Sequence, residues 1–188
     1  MHEQNTRDKI IEAATRLFSQ YSYEEVSTNQ LIKEVGNSKG SFYWHFAKKE
    51  DLFKEVFEHC YRKTLEYSRI GIDENDSAID CIKRRLKNML FLNKIDPYCI
   101  PIVLKHIEVI AVQKKLMDCM EFRDDTLKYV KRGLLDKEMT DLPEELLVEA
   151  IDKMDWVVMD YLNRHPEYFE NETFIDKMIN NLYKSFQM

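Results

Sequence analysis

A short stretch of the chain gathers side chains that can bind a polyanion or read the edges of nucleobases. Tyr43, Trp44 and His45 follow one another there, and Lys39 lies one helical turn before them. Phenol, indole and imidazole groups donate hydrogen bonds, and their rings can touch a thymine methyl group in the major groove of DNA. The plainer alternative is that these three side chains belong to the core of a small helical domain.

Two short helices joined by a tight turn would position these groups. Ser27 is a good N-cap, and Gln30, three residues later, completes a capping box. Gly36 can adopt the left-handed conformation that ends a helix. Ser38 can then cap the second helix, so the spacing predicts a helix-turn-helix.

On the second helix the apolar residues favour one face. Phe42 and Phe46 are four residues apart and should point into the domain. A helix-turn-helix places the opposite face of its second helix in the major groove. That outward or edge face is predicted to carry Lys39, Ser41, Tyr43, Trp44 and His45.

The stretch closely resembles the N-terminal DNA-binding domain of TetR-family transcriptional regulators, over roughly residues 5–57. The matching residues are Leu17, Phe18, Tyr23, Ser27, Gly36, Ser38, Lys39, Gly40, Phe42, Tyr43, His45, Phe46, Lys49, Glu50, Leu52 and Phe53. The resemblance implies a homodimer with a three-helix DNA-binding domain followed by a larger helical domain for ligand binding and dimerisation. It also implies an operator of double-stranded DNA as the partner.

The resemblance implies roles for single residues as well. The groups expected to hold phosphates are Ser27, Thr28, Tyr43 and Lys49. The candidates for base contact are Asn29, Lys39, Ser41, Trp44 and His45. Ser38 and Gly40 complete the predicted DNA-binding set, and Gly40 would let the backbone come close to the sugar-phosphate.

Composition predicts an all-α protein. The chain has 188 residues, 44% of them apolar and 33% charged, with only 4 glycines and 4 prolines. Helix formers dominate, and runs of β-branched residues are short. We predict a helix-turn-helix domain over residues 1–49 and a helical effector-binding and dimerisation domain over residues 50–188.

The net charge of −6 is unevenly distributed. Residues 1–70 contain 11 Lys and Arg against 11 Asp and Glu, so the negative charge lies in the remainder of the chain. Between Lys33 and Lys49, four lysines face Glu34 alone. An acidic body with a locally basic tip is compatible with DNA binding, because only the tip approaches the phosphates.

The end of the chain predicts a dimer interface. One amphipathic helix should run from Pro143 to Asn163, and a last one should start near Asn171. Their apolar arcs are wide, and two helices from each subunit would form a four-helix interface. The alternative is a helical hairpin that packs only within one subunit.

A mostly apolar small-molecule effector is predicted to bind in the second domain. The most apolar run, residues 98–112, is interpreted as a buried central helix there. The candidate lining residues are Met89, Phe91, Tyr98, Cys99, His106, Met120, Phe122, Tyr129 and Trp156. Each could instead serve in ordinary core packing. A regulator controlled by a protein partner, or acting constitutively, is the alternative.

Other classes of protein find little support in the sequence. It has no nucleophile elbow, phosphate loop, zinc motif or dinucleotide fingerprint, so we expect no enzymatic activity, cofactor or metal. The four cysteines lack metal-site or redox spacing and are expected to be free thiols. No apolar stretch is long enough to span a bilayer, and we predict a cytoplasmic protein.

Overall fold

A computed structural model describes residues 2–36, 38–112 and 121–188 of the chain. In these residues the elements are helical, and an isolated antiparallel bridge joins Met139 to Gln187. The predicted all-α class is confirmed. The α-helices are α1 (His2–Gln20), α2 (Thr28–Val35), α3 (Lys39–His45), α4 (Lys49–Ser68), α5 (Ala78–Ile95), α6 (Cys99–Val112), α7 (Glu121–Leu135), α8 (Glu144–Arg164) and α9 (Glu172–Tyr183). None of the helices described is both long and apolar enough to cross a membrane.

Contacts divide the chain into two compact units, the first of which joins residues 1–63 to residues 97–115. Helix α1 supplies this unit with Ile10, Ala14 and Phe18, all completely buried. Helix α6 packs on α1 in the same unit. The sequence analysis instead predicts that this helix belongs to the second domain. The two differ because the order of the chain does not show which surface an apolar helix covers. The domain boundary after residue 49 stays a prediction.

The second unit comprises residues 64–96 and 116–188. Helix α7 packs on both α5 and α8, which also contact each other. Gly133 allows one close approach on α7, because a Cβ atom there would lie 2.6 Å from Cγ of Met139. Any larger residue at this position would force Met139 to move.

Several helix ends differ from the sequence-based prediction. Helix α1 begins at His2 rather than after a cap at residues 5–6. Pro143 is the N-cap of α8 instead of its first helical residue. The predicted break after α8 forms a 3-10 turn, Pro166–Glu170, that buries Phe169. The helix predicted to start near residue 114 is described from residue 121 onward, and its earlier part lies outside the described residues.

Candidate nucleic-acid interface

Helix α2 begins at a complete capping box. The backbone N–H of Gln30 donates to Oγ of Ser27 at 3.2 Å, and the backbone N–H of Ser27 donates to Oε1 of Gln30 at 2.8 Å. At the other end, Gly36 has a φ of 70° and donates its N–H to carbonyls of the last turn. These local bonds fix where α2 starts and stops, as the sequence predicted.

Helix α3 is capped and anchored as predicted. The backbone N–H of Ser41 donates to Oγ of Ser38 at 3.2 Å. Phe42 and Phe46 are both buried, with their ring centroids 6.3 Å apart. One face of α3 is thereby held inward, and the helix presents its opposite face to solvent.

The outward face carries the predicted aromatic groups. Trp44 is 74% exposed and Tyr43 is 48% exposed, so the alternative that these residues form a core is wrong for both. His45 and Ser41 are half-buried at the edge of this face. Ser38, which caps α3, and Lys39 and Gly40 in its first turn are also exposed.

The start of α2 presents the remaining polar candidates. Ser27 and Asn29 are exposed, and Thr28 is half-buried. All three lie within the first turn, where backbone amides lack intrahelical partners and favour an anion. The start of α2 and the outward face of α3 therefore each present groups that can bind phosphates or nucleobase edges.

Lys49 has an internal role that the sequence did not reveal. Its Nζ donates to the backbone carbonyls of Tyr23 and Val26 at 2.7 and 2.8 Å. It also lies 3.9 Å from the centroid of the Tyr23 ring. Burial lowers the pKa of the Lys49 ammonium. Contacts to main-chain carbonyls leave no mark in residue types, so no sequence signal could have identified them.

Arg7 contacts the end of α3 from α1, and the sequence analysis did not predict this contact. Its Nη2 donates to Oε2 of Glu55 at 2.6 Å. Its guanidinium carbon lies 5.2 Å from the centroid of the Phe46 ring. One side chain of α1 therefore contacts both α4 and the residue that ends α3.

The residues predicted to line an effector pocket divide between the two units. Tyr98, Cys99 and His106 belong to the first unit. Buried Met89 and Tyr129, half-buried Phe122 and Trp156, and exposed Phe91 belong to the second. Met120 lies outside the described residues. The predicted set is therefore not gathered within either unit, and an effector site stays a prediction.

Two members of this set have structural partners. His106 lies 3.1 Å from the carbonyl of Phe18 through Nε2, and its ring centroid is 5.0 Å from that of Phe53. Burial lowers the pKa of His106. The hydroxyl of Tyr129 donates to Oε1 of Glu74 at 3.1 Å, and burial raises the pKa of Tyr129 to about 12. His106 thus joins α6 to α1, and Tyr129 joins α7 to the turn between α4 and α5.

The residues of this candidate interface lie within a stretch that matches a known protein family. Residues 10–56 match the model for bacterial regulatory proteins of the tetR family. The chain is 44% identical over 68 residues to the HTH-type transcriptional regulator AcrR of Shigella flexneri, covering 36% of this chain and 29% of that protein. It is 40% identical over 87 residues to the HTH-type transcriptional regulator QacR of Staphylococcus aureus, covering 46% and 43%. The matches span less than half the length of these relatives.

Solved structures extend the likeness of fold to the whole chain. The ketosteroid transcriptional regulator KstR2 of Mycobacterium tuberculosis superposes with a TM-score of 0.76 at 14% identity, covering 97% of this chain and 95% of that one. A TetR family transcription regulator from Marinobacter aquaeolei VT8 gives 0.75 at 13% identity, covering 100% and 99%. These similarities concern the fold alone.

Proposed function

Because the chain belongs to the TetR family of bacterial regulatory proteins, we propose that it is a sequence-specific DNA-binding transcriptional repressor. The observation that carries this proposal is the outward face of α3. Trp44 is 74% exposed there and Lys39 of the same helix is exposed, while Phe42 and Phe46 are buried. An exposed indole costs solvation in a free protein but provides contact area and a hydrogen-bond donor in a DNA groove.

The proposed contacts follow the arrangement of the two helices. Side chains at the start of α2 and the phenol of Tyr43 would hold phosphates and set the register on the duplex. Lys39, Ser41, Trp44 and His45 of α3, with Asn29 of α2, would reach base edges and carry the sequence preference. Ser38 and Gly40, at the exposed start of α3, would lie close to the sugar-phosphate backbone.

Fluorescence anisotropy at near-physiological salt tests the proposal. The labelled duplex is the DNA upstream of the gene for this protein, and unlabelled random DNA is the competitor. Binding that resists the competitor, with two subunits or a multiple of two per site, is the expected result. A protein that binds no DNA even at low salt, where phosphate contacts are strongest, is not a DNA-binding regulator.

We propose that α8 and α9 form the interface of a homodimer. Leu146 and Val157 of α8 are 51% and 64% exposed, and Tyr161 and Leu182 extend the apolar surface. Single exposed apolar residues are common on soluble proteins, but here four of them lie on the last two helices. Burying them against a second copy would remove them from water. Sedimentation velocity across a concentration series would show the dimer.

An effector that releases the protein from DNA is part of the same proposal. The solved relatives include a ketosteroid regulator and a gamma-butyrolactone receptor of similar fold. We propose a small, mostly apolar molecule for this chain, whose predicted lining residues are largely aromatic or sulfur-containing. The anisotropy assay, repeated with a library of such molecules, would detect release. Failure of every molecule to release the DNA would favour control by a protein partner or constitutive repression.

A further inference from the structure

Helix α5 carries two buried polar side chains whose hydrogen-bonding atoms are not all satisfied. Arg85 is 3% exposed and Asn93 is 7% exposed. Within the part of the chain that the structure describes, neither Nε of Arg85 nor Oδ1 of Asn93 has a hydrogen-bond partner. A buried polar atom without a partner costs free energy, and proteins satisfy nearly all such atoms. Core packing therefore does not explain why these two side chains are buried.

The guanidinium group of Arg85 is held at its two terminal nitrogens. Its Nη1 donates to Oγ1 of Thr126 and its Nη2 donates to the carbonyl of Phe122, both at 3.1 Å. The carboxylate of Asp125 lies 3.7 Å from Nη2 and already accepts two hydrogen bonds from Arg69, at 2.8 and 3.1 Å. The Nε edge of Arg85 can still donate to a carboxylate, the group whose geometry a guanidinium matches.

Two further carboxyl groups of the same unit have other partners. Asp152 accepts a hydrogen bond from Oγ1 of Thr126 at 2.7 Å, and Asp155 accepts one from the hydroxyl of Tyr183 at 2.5 Å. Burial raises the pKa of both carboxyl groups, that of Asp155 to about 7. The Nε edge of Arg85 is therefore taken by neither of these acids.

Arg85 and Asn93 lie on one side of α5, with Met89 between them. The three residues follow one another at intervals of four, which places their side chains on the same helical face. Met89 is 5% exposed, so this face is buried along its length. Arg85 and Asn93 are eight residues apart, which corresponds to about 12 Å along the axis of a helix. The face thus presents a donor and an acceptor separated by an apolar side chain.

We propose that this face of α5 lines the effector site, and that the effector is an elongated apolar molecule with a carboxylate at one end and a hydroxyl group at the other. The carboxylate accepts from Nε of Arg85, and the hydroxyl group donates to Oδ1 of Asn93. The chain between them contacts Met89, a side chain that adapts readily to different shapes. The inference rests on the proposed effector-released repressor and names the class of its effector.

The test measures the binding of three related molecules by isothermal titration calorimetry, with the whole chain and without DNA. The probe is ω-hydroxydecanoate, whose extended chain is of similar length to the distance between the two polar atoms. Decanoate lacks its hydroxyl group, and decanediol carries a second hydroxyl group in place of the carboxylate. We expect each comparison molecule to bind about tenfold more weakly than ω-hydroxydecanoate, because one buried polar atom is again left without a partner. Equal affinities for all three would overturn the inference.

Asn93→Leu separates the hydroxyl contact from folding. Leucine is of similar size and needs no hydrogen bond, so the unfolding midpoint should rise rather than fall. The variant should no longer prefer ω-hydroxydecanoate to decanoate. A preference as large as that of the wild type would overturn the contact with Asn93.

Arg85→Lys tests the other end of the molecule. It keeps the charge but loses the Nε donor, so decanoate should bind about tenfold more weakly while decanediol binds as before. Lys94→Met is the matched control, because Lys94 is exposed on the same helix and its loss should change none of the affinities. Equal losses in Lys94→Met and Arg85→Lys would mean general attraction to surface charge and would overturn the contact. If Arg85→Lys does not fold, the comparison of ω-hydroxydecanoate with decanediol in the wild type decides.

Failure of this inference can be told apart from failure of the proposed function. A protein that binds operator DNA but none of the three molecules refutes the inference and leaves the DNA-binding function in place. A protein that binds ω-hydroxydecanoate with the expected preferences but binds no DNA refutes the function instead. We expect ω-hydroxydecanoate to release the operator in the anisotropy assay. Binding that leaves the affinity for DNA unchanged would overturn the assignment of this face to the effector site.

Discussion

Trp44 is the residue whose exposure ordinary packing does not explain. It is 74% exposed, although Phe42 on α3 and Phe46 at the end of α3 are buried. Large aromatic side chains in such settings are typical anchors of binding surfaces. At the scale of single residues, Trp44 is therefore the sharpest probe of the proposed DNA contact.

Replacing Trp44 with alanine should cost roughly 1–3 kcal/mol of binding free energy at a preferred DNA site and much less on random DNA, because only base contacts distinguish the two. Anisotropy titrations with both duplexes measure this difference. Tyr21→Ala is the matched control, since Tyr21 is an exposed aromatic residue outside α2 and α3. Equal losses on both duplexes would mean that Trp44 does not read sequence.

Asp155 is the residue whose environment predicts a pH dependence. It is buried in the second unit, where its Oδ1 accepts a hydrogen bond from the Tyr183 hydroxyl at 2.5 Å. Burial raises the pKa of Asp155 to about 7, with the neighbouring charge of Asp152 adding to the rise and that of Arg85 opposing it. The carboxyl therefore stays protonated in the folded state at pH values where the unfolded chain has already released that proton.

The free energy of unfolding contributed by Asp155 should thus fall as pH rises from about 4 to about 7 and level off above that range. Asp155→Asn keeps an acceptor for Tyr183 without the charge. Its unfolding midpoint should exceed that of the wild type most at pH 8, and the difference should shrink as the pH is lowered to about 4. Thermal unfolding at several pH values tests this, with the exposed Asp141→Asn as the control. A difference that does not change with pH would contradict the assignment.

At the scale of elements, short-range hydrogen bonds define the two helices that are proposed to face DNA. The bonds between Ser27 and Gln30 and between Ser38 and Ser41 each span three residues. Helix α2 has 8 residues and α3 has 7, too few to be stable in isolation. Their caps, the packing of α2 on α1 and the burial of Phe42 on α3 must therefore supply the stability that length does not.

Ser27→Ala should destabilise α2 by about 1 kcal/mol, since the side-chain acceptor for the Gln30 amide is lost. Faster hydrogen exchange of the amides in α2, measured by mass spectrometry, would report the effect. Ser27→Asn retains an acceptor and should exchange like the wild type. If both variants exchanged equally fast, the cap could not be the cause.

At the scale of the whole molecule, the proposed dimer depends on apolar residues left in water by a single chain. Val157 is 64% exposed on α8. Leu135, at the end of α7, is 81% exposed and offers an apolar residue of similar kind outside the proposed interface. Substitutions at the two positions therefore distinguish a specific dimer interface from a general effect of exposed apolar residues.

Val157→Glu should raise the dimer dissociation constant about tenfold or more, because a two-fold interface buries the new carboxylate twice. Sedimentation velocity at several concentrations measures the change. Leu135→Glu should remain as dimeric as the wild type. A dimer that tolerates Val157→Glu would exclude this face of α8 from the interface.

The sequence by itself determined the helix-turn-helix, because its signals are local. A cap and its acceptor lie three residues apart, and Phe42 and Phe46 share a face through helical periodicity alone. Residues three or four positions apart make the same contacts within a helix whatever the rest of the fold is. The all-α class followed for the same reason, since helix-forming residues and apolar repeats act within one helix.

Only the tertiary structure decided which distant segments meet. The Lys49 ammonium binds carbonyls more than 20 residues away in the chain, Arg7 reaches Glu55, and α6 packs on α1. Such contacts depend on how helices stack, and many sequences of similar pattern could stack differently. The sequence therefore indicated that Lys49 was important, but packing determined which atoms its ammonium group contacts.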